Sequence, residues 1–183
     1  MATFFTADLH FGHGKIIEFC DRPFNDVSEM NQTLIKNWNN KVSNGDHVYI
    51  AGDLFYGGRD AAGAKEALEI VKKLNGTLHL ISGNHDLPYL KNMDYHYLFA
   101  DVDKMRYLKH EGNEIILCHY PMAEWSGYFR GSWHIYGHIH NAKNPPYDYM
   151  KTNEKALNAG VDICNFEPVT FDELIKCNRD FNK

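Results

Sequence analysis

Short apolar runs alternate with longer amphipathic ones through the first half of the chain. Thr3 to Ala7 has the length and character of a strand and delivers Asp8 at its end. Asp26 and Glu29 then have the spacing of a capping box. Behind them Val27, Met30, Leu34, Ile35, Trp38 and Val42 recur at helical intervals, which predicts a helix with one buried stripe. After the Asn44-Gly45 turn, a second strand over His47 to Ala51 ends at Gly52-Asp53. Asp60 is predicted to cap a helix running through Leu74, with Ala64, Leu68, Val71 and Leu74 inward and Asn75-Gly76 as its stop. A third strand, Thr77 to Ser82, ends at Gly83-Asn84.

The second half changes rhythm. Asp101 to Leu108 and Glu114 to Cys118 read as strands of a hairpin around the Gly112-Asn113 turn. His134 to Tyr136 is a further strand that ends at Gly137-His138. A late strand over Ala156 to Val161 precedes a short helix, where Thr170 and Glu173 repeat the capping-box spacing after Pro168. No repeat, low-complexity tract or linker interrupts the pattern. Strand-helix alternation followed by hairpins predicts α/β layering with mixed sheets in one domain over residues 1–183.

Composition adds little to this picture. A hydrophobic fraction of 44% and a charged fraction of 23% are ordinary for a globular chain. The net charge of -5 argues against a broad basic surface for nucleic acid, whose binding is dominated by phosphate neutralisation. Cys20, Cys118, Cys164 and Cys177 are spread out without a Cys-x-x-Cys pair, as reduced thiols of a cytoplasmic protein would be. Asp8 and His10 break the N-terminal apolar stretch before it reaches the length of a leader peptide, and no run approaches a membrane span. A cytoplasmic location is expected, and the oligomeric state is left open.

The turns after the strands change the picture. In order they carry Asp8-Leu9-His10, Gly52-Asp53, Gly83-Asn84-His85-Asp86, His119, and Gly137-His138-Ile139-His140. Each of these alone is an ordinary turn or an incidental pair. Five in series, each behind an apolar strand, converge at one sheet edge, where open α/β sheets place their sites. Residues two apart at a strand end point the same way, as Asp8 and His10 do, and His138 and His140. The set supplies enough oxygen and imidazole ligands for two metal ions, a device for phosphoester hydrolysis.

Together these motifs resemble the calcineurin-like metallophosphoesterase family, whose series runs Asp-x-His, Gly-Asp, Gly-Asn-His-(Asp/Glu), His and Gly-His-x-His. The match spans positions 8 to 140, and Asn158-Ala159-Gly160-Val161-Asp162 resembles the closing strand of compact bacterial and phage members. One departure is Cys118, where the family often has Gly before the histidine. The resemblance implies a four-layer α/β/β/α sandwich with two mixed sheets. It also implies that Asp8, His10 and His140 hold one metal, that Asn84, His119 and His138 hold the other, and that Asp53 bridges them. A nitrogen and oxygen set without thiolate suits Mn²⁺, Fe, Zn²⁺ or Ni²⁺, with Mn²⁺ the leading expectation.

On that reading a water between the two ions loses its proton near neutral pH and attacks phosphorus in line. His85 is the candidate acid for the leaving oxygen, because it adjoins Asn84 and is outside the ligand count. Asp86 either orients the His85 ring or caps the turn into Leu87-Pro88. Arg22 is suited to bidentate phosphate binding from the site mouth, or to a solvated surface. His13 is a second substrate-binding candidate. Trp125, Tyr128, Phe129, Arg130 and Trp133 either stack on a base or pack as core, and His47, His79, His96, His110 and His134 read as structural. The expected function is hydrolysis of a small phosphorylated, nucleotide-like substrate, a diester ahead of a monoester. A nuclease acting on nucleic acid ends and a non-catalytic scaffold are the alternatives.

Overall fold

The computed structural model describes residues 1–56, 61–92 and 97–183. Asp60, the expected helix cap, and His96 lie outside the described residues.

Eight strands form two sheets. The first holds β1 (Thr3–Thr6), β2 (His47–Ile50), β3 (Thr77–Ile81) and β4 (Asp101–Asp103), in that order. Every pairing between these strands is parallel, so this sheet is not mixed as expected. The reason is the crossover helices, α2 (Val27–Lys41, which follows the short α1, Lys15–Phe19) and α3 (Ala61–Val71), which return the chain to the same end each time. The second sheet, β5 (Met105–His110), β6 (Asn113–Cys118), β7 (Trp133–Tyr136) and β8 (Ala156–Asn158), is mixed: β5 and β6 run antiparallel and the rest parallel.

The expected strand over 101–108 is therefore two strands in different sheets. Val102 pairs with Leu80, whereas Met105 already pairs with Cys118. Arg106 bonds Asp101 at 2.6 Å and Asp103 at 2.8 Å, bracing the corner where the chain changes sheet.

Side-chain alternation sorts the strands into layers. Phe4, Val48, Ile50, Leu78 and Leu80 face outward from the first sheet into a core with Met30, Leu34 and Trp38 of α2. Phe5, Tyr49, Ala51 and Ile81 face the second sheet, where Ile115, Leu117, Ile135 and Leu157 meet them. Ile116, Tyr136 and Ala156 face the far side, covered by Trp125 and by Tyr147 and Met150 of a short helix, Pro145–Met150. The result is the α/β/β/α sandwich. Asp26 caps α2, accepting from Glu29 N–H at 2.9 Å, but the Glu29 carboxylate accepts from Asn25 N–H at 2.7 Å, so only half of the expected capping box forms. The expected stripe holds at Val71 and at Leu74, both buried, but Leu68 is only half-buried and Ala67 and Ile70 face inward instead; the side chain of Ala64 lies outside the described residues. Two further short helices, Lys15–Phe19 and Leu87–Asn92, had no periodic signal. The late strand stops at Asn158, followed by a 3-10 turn at Val161–Ile163 and the helix Phe171–Phe181, whose capping box forms.

His134 lies fully inside the third core. Its Nδ1 is 3.0 Å from Ile116 O and its Nε2 accepts from Met122 N–H at 3.2 Å, so the ring is held neutral. Burial pushes its pKa down to about 4. Below pH ~6.5 the unfolded chain takes a proton here that the folded chain refuses, so stability falls as pH drops from about 6.5 to about 4. The difference in unfolding free energy between wild type and His134→Gln should therefore shrink across that window by about 2–3 kcal/mol. Urea titrations of the two chelator-treated proteins at several pH values measure it. A constant difference would place the histidine in a wetter environment.

Candidate metal centre

Five of the turns place their side chains at one edge of the sandwich, and the backbone there is unusual. Asp8, His10, Asp53, His138 and His140 have φ of 57°, 53°, 52°, 73° and 51°. Side-chain-bearing residues rarely take the left-handed region, and such conformers gather at functional sites. Glycine is needed alongside them. A Cβ at Gly52, whose φ is +90°, would run into the His119 ring, and one at Gly83 would run into Asp53 Oδ1.

Two groups of three result. Asp8, His10 and His140 offer ligand atoms that all lie within 4.8 Å of one another, and so do Asp53, His119 and His138. Asn84 joins the second group, its Oδ1 lying 3.1 Å from His119 Nε2 and 3.2 Å from His138 Nδ1. Asp53 stands between the groups. Its Oδ2 is 3.5 Å from His10 Nε2 and 3.4 Å from His119 Nε2. The structure thus brings together all seven side chains that the resemblance nominated.

The hydrogen bonds decide which atoms face inward. His119 Nδ1 lies 2.9 Å from Ala51 O, so Nδ1 carries a hydrogen and Nε2 is the nitrogen turned toward the Asp53 and Asn84 oxygens. His140 Nδ1 is held by Asp162 Oδ2 at 2.9 Å, and His10 Nδ1 by His13 Nδ1 at 3.2 Å. His10 Nε2 is buried with no hydrogen-bond partner. Ring nitrogens and oxygens turned toward one another, and a buried nitrogen with no partner, are costly unless a positive charge sits among them.

The field agrees with that. Burial alone would lower the pKa of His119, but Asp53 and Asp8 raise it to about 9. Asp162 and Asp8 similarly overcome burial at His140 and raise it to about 10. Burial would raise Asp53, but the His119 bond and charge bring it down to about 2. The residues fit divalent cations on chemistry as well: oxygens and imidazoles, second-side hydrogen bonds that fix each ring, and no thiolate.

Asp162 was the residue sequence reasoning missed. It lies within the Asn158-to-Asp162 run whose resemblance was noted, but its role emerges only in three dimensions. Arg22 is the correction. It is not at the site mouth or on a solvated surface: its side chain is fully buried, and Nε and Nη2 bond Asp162 at 2.7 and 3.1 Å. It also donates to Leu9 O at 3.0 Å, Asp8 O at 2.8 Å and Met30 Sδ at 3.4 Å. With its donors spent there, it ties the first ligand turn to the carboxylate that orients His140. Cys20, His140 and Asp162 also cluster, but Asp162 is already neutralised by Arg22. Arg22→Met leaves Asp162 buried without its guanidinium, with only the His140 ring still bonded to it, and should cost about 3–5 kcal/mol of stability. An unchanged denaturation midpoint would refute the buried pair.

Asp86 is corrected too. Its carboxylate accepts from the backbone N–H groups of Gly83, Asp53 and Leu54 at 2.8, 2.8 and 2.9 Å rather than from the His85 ring. It therefore holds the turns that present Asn84 and Asp53, the capping alternative. His85 is half-exposed, its N–H donates to Asp53 Oδ1 at 2.9 Å, and its Nε2 lies 4.0 Å from Asp53 Oδ2. His13 spends Nδ1 on His10, stacks on Tyr56 at 3.4 Å, and lines the cavity beside the ligand cluster, so it both braces a ligand and faces that space. Tyr120, also not foreseen, packs edge-on to His119 and His138, with its hydroxyl 3.5 Å from Asn84 Oδ1. Trp125 belongs to the third core.

The chain belongs to the calcineurin-like phosphoesterase superfamily, whose family model matches residues 1–161. Over 170 residues, 93% of this chain and 87% of the relative, it is 38% identical to an uncharacterized protein of Methanocaldococcus jannaschii. A UDP-2,3-diacylglucosamine hydrolase of Nitrosococcus oceani is 38% identical over 93 residues, 47% of this chain and 32% of that protein. A solved protein of unknown function from Aquifex aeolicus superposes with a TM-score of 0.71 at 25% identity, covering 95% of this chain and 97% of that one. The chain is a phosphoric ester hydrolase of a metal-dependent family, with Asp and His groups that could hold metal. Among the described residues no helix is long and apolar enough to cross a membrane.

Proposed function

We propose that the chain is a cytoplasmic, single-domain, binuclear phosphoesterase that hydrolyses a small nucleotide-like substrate, with diesters preferred over monoesters. Asp8, His10 and His140 would hold one cation, Asn84, His119 and His138 the other, and Asp53 would bridge them, with Mn²⁺ the first choice. When bound, the pair would supply an activated water at neutral pH and neutralise charge growing on phosphorus oxygens.

The observation that carries the reading is the placement of His119 Nε2 against the oxygens of Asp53 and Asn84 at 3.4 and 3.1 Å while Nδ1 is committed to Ala51 O. The remaining roles belong to the chain itself. His13 and Asp162 fix the rings of His10 and His140. Asp86 and Arg22 fix the ligand turns. His85, half-exposed beside Asp53, gives the leaving oxygen its proton.

A panel of chromogenic mono- and diesters, assayed with each divalent metal and with chelator, tests the reading. Chelation should abolish hydrolysis of every substrate, and added Mn²⁺ should restore it, with diesters turned over faster. Hydrolysis that persists after full chelation, or none with any metal, would overturn it.

A further inference from the structure

Beside the ligand cluster lies a cavity of about 590 Å³, within the size range of small-molecule sites. Imidazoles of His10, His85, His138 and His140 line one part of it. The rest is different. Ile16 and Phe19 of the helix Lys15–Phe19 contribute apolar surface, as do Ile139, Ala142 and Pro146 after β7, with Lys15, Asn141 and Asn144 between them. A phosphoryl group alone has no use for such a wall. Apolar surface in the same cavity as the imidazoles suits a largely apolar group joined to the phosphorus.

The shape of that group is set by a row of rings. Tyr56 stacks on His13 with centroids 3.4 Å apart and planes within 7°. Phe19 meets the other neighbour of the row, approaching His13 edge-on at 6.3 Å. His13 is buried and bonded to His10, so the row is anchored at the ligand end. It opens outward: Tyr56 is 39% exposed and Phe19 71%. Scattered exposed apolar residues are ordinary. Phe19 differs in its place, on the wall of the cavity and next to a residue that supports a ligand.

We propose that Phe19 and Tyr56 form a stacking subsite for the planar base of a nucleoside phosphate. This rests on the phosphoesterase reading of the same site and adds which part of the substrate is recognised, and by which residues. Aromatic side chains bind bases by their faces with little regard to base identity, so the subsite selects nucleosides over sugar or alkyl phosphates while tolerating several bases.

The test is calorimetric binding to manganese-loaded protein, which does not depend on turnover. The probes are inorganic phosphate and the methylenephosphonate isosteres of ribose 5-phosphate and adenosine 5′-monophosphate, whose P–C bonds resist hydrolysis. The adenosine compound should bind wild type about tenfold or more tightly than the ribose compound. Phe19→Ala should bring that ratio close to one, Phe19→Leu should do nearly the same despite its apolar side chain, and Phe19→Trp should restore it. Equal affinities in wild type, or an undiminished ratio in Phe19→Ala, would overturn the stacking subsite while leaving the hydrolase reading intact. Failure of inorganic phosphate to bind the loaded wild type would instead sink the hydrolase reading, and this inference with it.

Discussion

Asp53→Asn should lose turnover by about 100-fold or more and fail to hold two cations, while keeping its fold. Even residues that only support a metal ligand typically cost about 10–100-fold in affinity or activity, and Asp53 is proposed to be shared by both ions. Its Oδ2 faces His10 Nε2 at 3.5 Å and His119 Nε2 at 3.4 Å. An asparagine there would turn an amide NH₂ toward those nitrogens and satisfy them by hydrogen bonding, removing both the negative charge and the need for a cation. Its remaining oxygen could still accept the His85 N–H that Asp53 Oδ1 now takes at 2.9 Å, so the local backbone has no reason to move. Elemental analysis after dialysis, alongside circular dichroism, reads both halves. Two full equivalents of metal in the variant would remove Asp53 from its bridging role.

His85→Ala should give the opposite pattern. Metal content should stay at the wild-type value while kcat falls by about 10²–10⁴, the usual range for acid–base assistance. The side chain is half-exposed and 4.0 Å from Asp53 Oδ2, too far to share that carboxylate directly but within reach of a substrate in the adjoining cavity. A substrate whose leaving group is already acidic needs less help, so the loss should be smaller for nitrophenyl esters than for alkyl esters. Turnover unchanged for both classes would take His85 out of the mechanism.

These two residues were legible in the sequence because each sits in a short turn directly after an apolar strand, where side-chain direction follows from the strand itself. The same logic placed Asp8, His10, Asn84, His119, His138 and His140 in one cluster, and the structure brings them there. What could not be read was long-range pairing. Arg22 and Asp162 are 140 positions apart, and nothing local distinguishes an arginine buried against such a partner from one in solvent. Asp86 sits beside His85 in sequence, yet its carboxylate faces backbone N–H groups of the Gly83 and Asp53 turns. The change of sheet between Asp103 and Met105 was hidden for a related reason, since both sides are strand-like and only the partners differ. Short helices such as Lys15–Phe19 complete barely a turn and leave no periodicity to detect.

Anomalous scattering at the manganese edge, from a crystal soaked in Mn²⁺, goes straight to the matter of whether this edge of the sandwich is a two-cation cage. Two peaks are expected: one enclosed by Asp8, His10 and His140, the second by Asn84, His119 and His138, with the Asp53 carboxylate between them. A single peak elsewhere, or none at this edge, would contradict the account.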